Sequence, residues 1–110
     1  MENIRVGCDI VSIKRMQRLN KDVINKIFTV DELKDSKIET LAGKFAAKEA
    51  CKKIINELSW KDIIITNNKD GRPIAEIMNH DNKISEIDLS ISHDKDYAIS
   101  VVVMLLKNKQ

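Results

Sequence analysis

The sequence predicts an α+β fold in which one long central helix packs with shorter helices against an antiparallel sheet. Three observations carry this. Ile4, Val6, Cys8 and Ile10 alternate with Arg5, Gly7 and Asp9, the period of two of a strand with one buried face. Leu41 to Leu58 repeats its apolar residues at helical spacing. From Asp62 onward the period returns to two, broken by turn-rich tracts.

Each element follows in order. The opening strand places Asp9 on the face opposite its apolar residues, near its end. From Ser12, the residues Ile13, Met16 and Leu19 recur as on a helix, which turns Lys14, Arg15 and Arg18 to a basic side. Val23, Ile24, Ile27 and Phe28 suggest a second short helical piece, and Thr29-Val-Asp-Glu32 is a capping box that starts a third. In the long helix, Ala47, Cys51, Ile54 and Leu58 form the expected core stripe. The opposite strip holds Ala42, Phe45, Ala46, Glu49 and Lys53, and its small alanines leave room for another backbone or a ligand. Asp62 to Thr66 and Arg72 to Met78 read as strands joined through Asn67 to Gly71, and residues 80–83 as a polar loop. Ile87, Leu89 and Ile91 then alternate in a half-buried strand that delivers His93 to a turn at 94–96. Tyr97 to Leu106 is apolar on both faces, as suits a central strand or one covered by another subunit.

A chain of 110 residues reads as a single domain, 1–110, small enough that partner subunits often complete its burial. With 43% hydrophobic and 33% charged residues it has the composition of a soluble globular protein. A net charge of +2 argues against sequence-independent nucleic-acid binding. Cys8 and Cys51, far apart and without histidines at ligand spacing, indicate neither a disulfide framework nor zinc. The N-terminus lacks an apolar signal core, and the longest apolar run is about half the roughly 20 residues of a membrane span, so the cytoplasm is the expected compartment.

Asp9, Glu49, Lys53 and His93 are the candidates for chemistry. Each has a plain structural alternative: a cap or surface carboxylate for Asp9, an i,i+4 pair for Glu49 with Lys53, an exposed turn for His93. Lys44, Lys48, Lys52 and Lys53 could bind phosphates or simply solvate a helix face. Two carboxylates with several lysines fit one chemistry, because Mg²⁺ takes hard oxygen ligands and shares its shell with substrate phosphates. The glycines, Gly7, Gly43 and Gly71, stand singly, so a phosphate-binding loop of the P-loop or GxGxxG kind is absent.

Six motifs in order, VGCDIVSIKRM (6–16), FTVDEL (28–33), LAGKFAAKEACKK (41–53), WKDIII (60–65), DGRPI (70–74) and SISHDKDYAISVVV (90–103), closely resemble those of the bacterial holo-acyl-carrier-protein synthases. The resemblance implies a 4′-phosphopantetheinyl transferase-like fold and transfer of the phosphopantetheine arm of coenzyme A to a serine of apo-acyl carrier protein, in fatty acid biosynthesis. By motif position it implies Asp9 and Glu49 as Mg²⁺ ligands, with Glu49 or a water it holds deprotonating the serine. It further implies Lys53, Lys44 and Lys48 near the phosphates of coenzyme A, and Arg72, Pro73, Ser92 and His93 as the part of that site supplied by a neighbouring subunit of a homotrimer. Lys14, Arg15 and Arg18 match the basic side that meets the acidic carrier protein. Lys52 keeps the reading of a solvated lysine. The resemblance also exposes departures: no glycine-rich loop precedes Trp60, the segment between Glu32 and Leu41 is shortened, and Asp94 follows His93, where it is expected to turn to Lys95 or solvent. The rival classes are a non-catalytic basic module that binds an acidic partner, and a different Mg²⁺-dependent nucleotide enzyme, which the missing P-loop disfavours.

Overall fold

The computed structural model describes residues 2–34, 36–80 and 83–108. Its elements are β1 (Glu2–Ser12), α1 (Ile13–Gln17), α2 (Lys21–Ile27), α3 (Val30–Leu33), α4 (Ile38–Ile54), a 3-10 turn (Trp60–Asp62), β2 (Ile63–Asn67), β3 (Pro73–Ile77), β4 (Ile84–Asp94) and β5 (Tyr97–Lys107). The strands form two antiparallel sheets, β1-β5-β4 and β2-β3, so the last strand is the central one, as its apolar faces foretell. Helix α4 lies on the larger sheet. The polar-loop expectation for 80–83 falls partly on residues 81–82, which lie outside the described residues. Among the described residues no helix is long and apolar enough to cross a membrane.

Local signals explain the connections. Ser12 caps α1, Asn20 caps α2, and the Thr29/Glu32 capping box starts α3 as expected. Phe28 leaves the second helix in extended conformation and buries its ring. In the 67–71 turn, Gly71 takes a positive φ of 83°, while the Asn68 side-chain oxygen accepts from the backbone N–H groups of Asp70 and Arg72. Asp62 belongs to the 3-10 turn and not to the strand, because its carboxylate accepts from the backbone and hydroxyl of Ser59. These bonds hold its carboxyl below the ordinary aspartate range.

Two expectations are corrected. The apolar side of β1 faces away from the helix: Ile4, Val6 and Ile10 are 61–67% exposed, whereas Gly7 and Val11 are buried and Asp9 half-buried beneath α4. The cause is Gly7, where a Cβ would stand 2.2 Å from the Ala50 carbonyl oxygen. The bare backbone lets the helix in on that side. Second, Ala42 and Ala46 leave no room for a ligand. Both are fully buried with Val11, Ile13, Met16, Ile27, Phe28 and Ala98, so their smallness admits the chain's own sheet and short helices. The expected stripe of Ala47, Cys51 and Leu58 is buried in a second cluster with Ile63, Ile65, Val102 and Met104, and Ile54 packs half-buried against it. Leu58 reaches that core from beyond the end of the helix.

The two clusters meet at a buried ion pair. Glu32 and Lys48 join at 2.7 Å with neither side chain exposed. Lys48 also donates to the carbonyls of Ile27 and Trp60, and Glu32 accepts from the backbone N–H groups of Thr29 and Ile65. All three donors of the ammonium are thereby used. Lys48→Met strands the Glu32 carboxylate in the interior and is expected to cost about 3–5 kcal/mol. Denaturant unfolding at fixed chain concentration measures it, and a loss below about 1 kcal/mol contradicts the account.

Candidate active site

The notch at Gly7 sets Asp9 against the face of α4 that carries Glu49. Lys53, one turn beyond Glu49, donates to the Asp9 carboxylate at 3.2 Å and to the Cys8 carbonyl at 2.8 Å. Burial, then the negative charge of Asp9, push the Glu49 carboxyl above the ordinary glutamate range, and Lys52, Lys53 and Arg15 oppose them. Asp9, Glu49 and Lys53 are therefore neighbours, with Lys52 and Arg15 within electrostatic reach. Two mutually repelling carboxylates in a half-buried place suit a hard divalent cation, which would relieve both. Among the described residues no group of three or more His, Cys, Asp or Glu side chains could hold a metal, so a cation held by these two carboxylates would need further oxygen ligands from outside the chain.

The lysines of α4 divide. Lys48 does not reach the phosphates that motif position assigns it, because its ammonium is spent inside the protein and burial draws its pKa down against the pull of Glu32. Lys44, 9% exposed, donates to the Glu32 carbonyl and to the Ser36 hydroxyl, which leaves one N–H free; burial lowers its pKa too. Lys52 is not simply solvated. Half-buried, it sets its ammonium 4.2 Å from the centre of the Trp60 ring, which itself packs on Phe45.

The remaining candidates lie elsewhere. His93 ends β4 beside the start of α4, with Nε2 2.9 Å from the Glu39 carbonyl oxygen and over Gly43, where a Cβ would meet Ile91. A carbonyl only accepts, so Nε2 is the donor in this bond, and the residue is otherwise exposed. Glu39 and Glu49 are separated by roughly 15 Å of helix at ~1.5 Å per residue. Arg72 pairs with Asp88 at 2.8 Å on the surface. With Pro73, Ser90, Val101 and Val103 it lines a cleft of about 390 Å³ on the outer face of the sheet. Ser92 is exposed and Asp94 points to solvent without a bond to Lys95. A single chain thus keeps Arg72 and Pro73 on the face of the sheet opposite Asp9 and Glu49. Lys14, Arg15 and Arg18 are exposed on and just after α1, and none is ion-paired among the described residues.

Two placements have no local signal in the sequence. The capping box accounts for Glu32 completely, and nothing in FTVDEL marks its carboxylate as buried. Lys52, read as one of four lysines that bind phosphate or solvate the helix, has an i+3 offset from Glu49, but the Trp60 ring comes to it from a separate element.

Residues 5–102 match the 4′-phosphopantetheinyl transferase superfamily, and the chain belongs to that family. Its relatives include the holo-[acyl-carrier-protein] synthases of Oceanobacillus iheyensis, 39% identical over 90% of this chain and 93% of that protein, and of Geobacillus sp., 38% identical over 92% and 95%. Among solved structures, the Helicobacter pylori holo-[acyl-carrier-protein] synthase in complex with coenzyme A superposes with a TM-score of 0.82 at 34% identity, covering 91% of this chain and 99% of that one. The Bacillus anthracis holo-(acyl-carrier-protein) synthase in complex with CoA (3′,5′-ADP) gives 0.83 at 31% identity, covering 97% and 100%.

Because its pKa is raised on folding, Glu49 favours the fold most below its ordinary range and withdraws that stability as pH rises through the folded value. Near neutral pH its charge stands half-buried beside that of Asp9. Millimolar Mg²⁺ is therefore expected to raise Tm more at neutral pH than near pH 4, read by calorimetry. An equal shift at both pH values contradicts this placement.

Proposed function

We propose that this chain, as one transferase domain, moves the 4′-phosphopantetheine arm of coenzyme A to a serine of apo-acyl carrier protein and releases adenosine 3′,5′-bisphosphate. The observation that carries this is the juxtaposition of Glu49, Asp9 and Lys53 across the Gly7 notch, in a member of this superfamily. Mg²⁺ held by Asp9 and Glu49 would supply charge neutralisation at the pyrophosphate. The serine Oγ attacks the phosphorus that bears pantetheine, the bond from that phosphorus to the bridging oxygen breaks, and the serine proton passes to Glu49 directly or through a water. Lys53 and the free N–H of Lys44 meet phosphate oxygens. The exposed Lys14, Arg15 and Arg18 steer an acidic carrier to the site and lose effect with salt. We assign the carrier to fatty acid biosynthesis and the protein to the cytoplasm.

The test is to incubate the protein with coenzyme A, Mg²⁺ and apo-acyl carrier protein, then weigh the carrier. A gain of one phosphopantetheine is expected. Asp9→Asn and Glu49→Gln should each lower turnover by about 10²-fold or more. An unmodified carrier with the wild-type protein, across several carriers, defeats the proposal and leaves a non-catalytic binding module.

The active unit is a homotrimer in which a neighbouring chain brings Arg72, Pro73, Ser92 and His93 to Asp9 and Glu49. The support is the uncovered apolar face of β1 and β5: Ile4, Val6, Ile10, Ile99, Val101 and Val103 are 37–67% exposed. Light scattering should give the mass of three 12.6 kDa chains. Val101→Asp should separate them and abolish transfer, and a monomer with full activity refutes the arrangement.

A further inference from the structure

The four lysines of α4 do not carry equal obligations. Lys48 is wholly engaged by Glu32 and two carbonyls, Lys44 is turned to the Glu32 carbonyl and Ser36, and Lys53 is shared with Asp9. Lys52 alone among them has no hydrogen-bond or ion partner among the described residues, and it rests on Trp60. At i+3 and i+4 from Glu49, Lys52 and Lys53 flank that carboxylate on the helix surface. Their tethers pull in different directions: Lys53 is drawn to β1 through Asp9 and Cys8, and Lys52 to the 3-10 turn through Trp60.

We propose that Lys52 is a second pyrophosphate contact of this site, kept beside Glu49 by Trp60 until coenzyme A binds. This rests on the transferase reading above. Charge balance favours it. Asp9 and Glu49 together offset one divalent cation, which leaves the two negative charges of a bound pyrophosphate to the lysines. Lys53 supplies one of the charges needed, and Lys44, nine residues earlier on α4 and tied to the Glu32 carbonyl and Ser36, stands about 13 Å along the helix from it, so a second ammonium is wanted at the pyrophosphate itself. A cation held only by an aromatic face is cheaply redirected, since a phosphate oxygen binds an ammonium more strongly. The ring limits where the long side chain can wander, so less rotamer freedom is lost on binding. The Phe45 ring behind Trp60 holds the shelf in place, at 5.4 Å between centroids.

Lys52→Met keeps an unbranched apolar stem over Trp60 and removes the charge, and Lys52→Arg keeps the charge. In the methionine variant the KM for coenzyme A should rise about tenfold, as for loss of one charge-assisted bond, and calorimetric binding of coenzyme A should weaken equally. The KM for the carrier and the thermal midpoint should stay at wild-type values, and the arginine variant should recover most of the loss. The same factor measured with dephospho-coenzyme A places the contact at the pyrophosphate. An unchanged KM and affinity for coenzyme A overturn the proposal. A loss confined to the carrier KM and erased by salt overturns it in favour of docking, and an effect that vanishes with dephospho-coenzyme A moves the contact to the 3′-phosphate and overturns it too. Failure of the wild-type protein to transfer at all is a separate result, read before any variant is made.

Discussion

The Glu32–Lys48 ion pair is the constraint on which the other contacts depend. An unpaired charge in a protein interior is so costly that neither residue could stand there without the other. Each also bonds backbone groups of other elements: Glu32 closes the start of α3 and caps the N–H of Ile65 on β2, while Lys48 ties the end of α2 and the 3-10 turn to α4. The carbonyl of Glu32 takes in Lys44 one turn earlier. Four segments are thus bolted to one helix through two side chains, and the helix cannot slide or rotate without breaking several charged hydrogen bonds together. The Cys51 thiol beside the pair, pushed up to about 12 by burial, remains an inert packing group.

That fixed helix determines the site. With α4 held from one side by the ion pair, the backbone of β1 approaches its other side at Gly7, and Asp9 follows two residues later beside Glu49. The carboxylates are close because a glycine and a helix carbonyl touch, and not because either residue seeks the other, which electrostatics alone would keep apart. The same helix presents Lys53 to β1 and Lys52 to Trp60, so that an acid pair is edged by two bases anchored to different elements.

Much of this was legible in the sequence, and the failures share one cause. Periodicity located the strands and the long helix, the Thr29 box and the 67–71 turn were read from a few adjacent residues, and the apolar Tyr97 to Leu106 run marked the central strand. These are local signals. Period two shows that a strand has an apolar face but not what covers it, and the side of β1 that meets α4 is set by the close approach at Gly7, which no alternation announces. An alanine reads alike whether it faces a ligand or the chain's own core, and Ala42 and Ala46 proved to be core. Lys48 and Lys52 look interchangeable in KEACKK. Their different fates depend on Glu32 and Trp60, which lie far from them in sequence and come close only when the chain has folded.

The register of β1 on β5 pairs Glu2 with Lys107, so the first and last strands of the sheet are neighbours. The first strand to leave the ribosome must therefore wait for the last before it can enter the sheet. Until then α4 lacks the surface against which it packs, and the strand that supplies Asp9 is an unpaired apolar segment. Pairings of such long sequence separation slow folding, because loop closure precedes the contacts that compensate it. The strand that brings Asp9 to Glu49 pairs Asp9 with Ser100, so the site is among the last features of the sheet to be completed rather than a nucleus from which it grows.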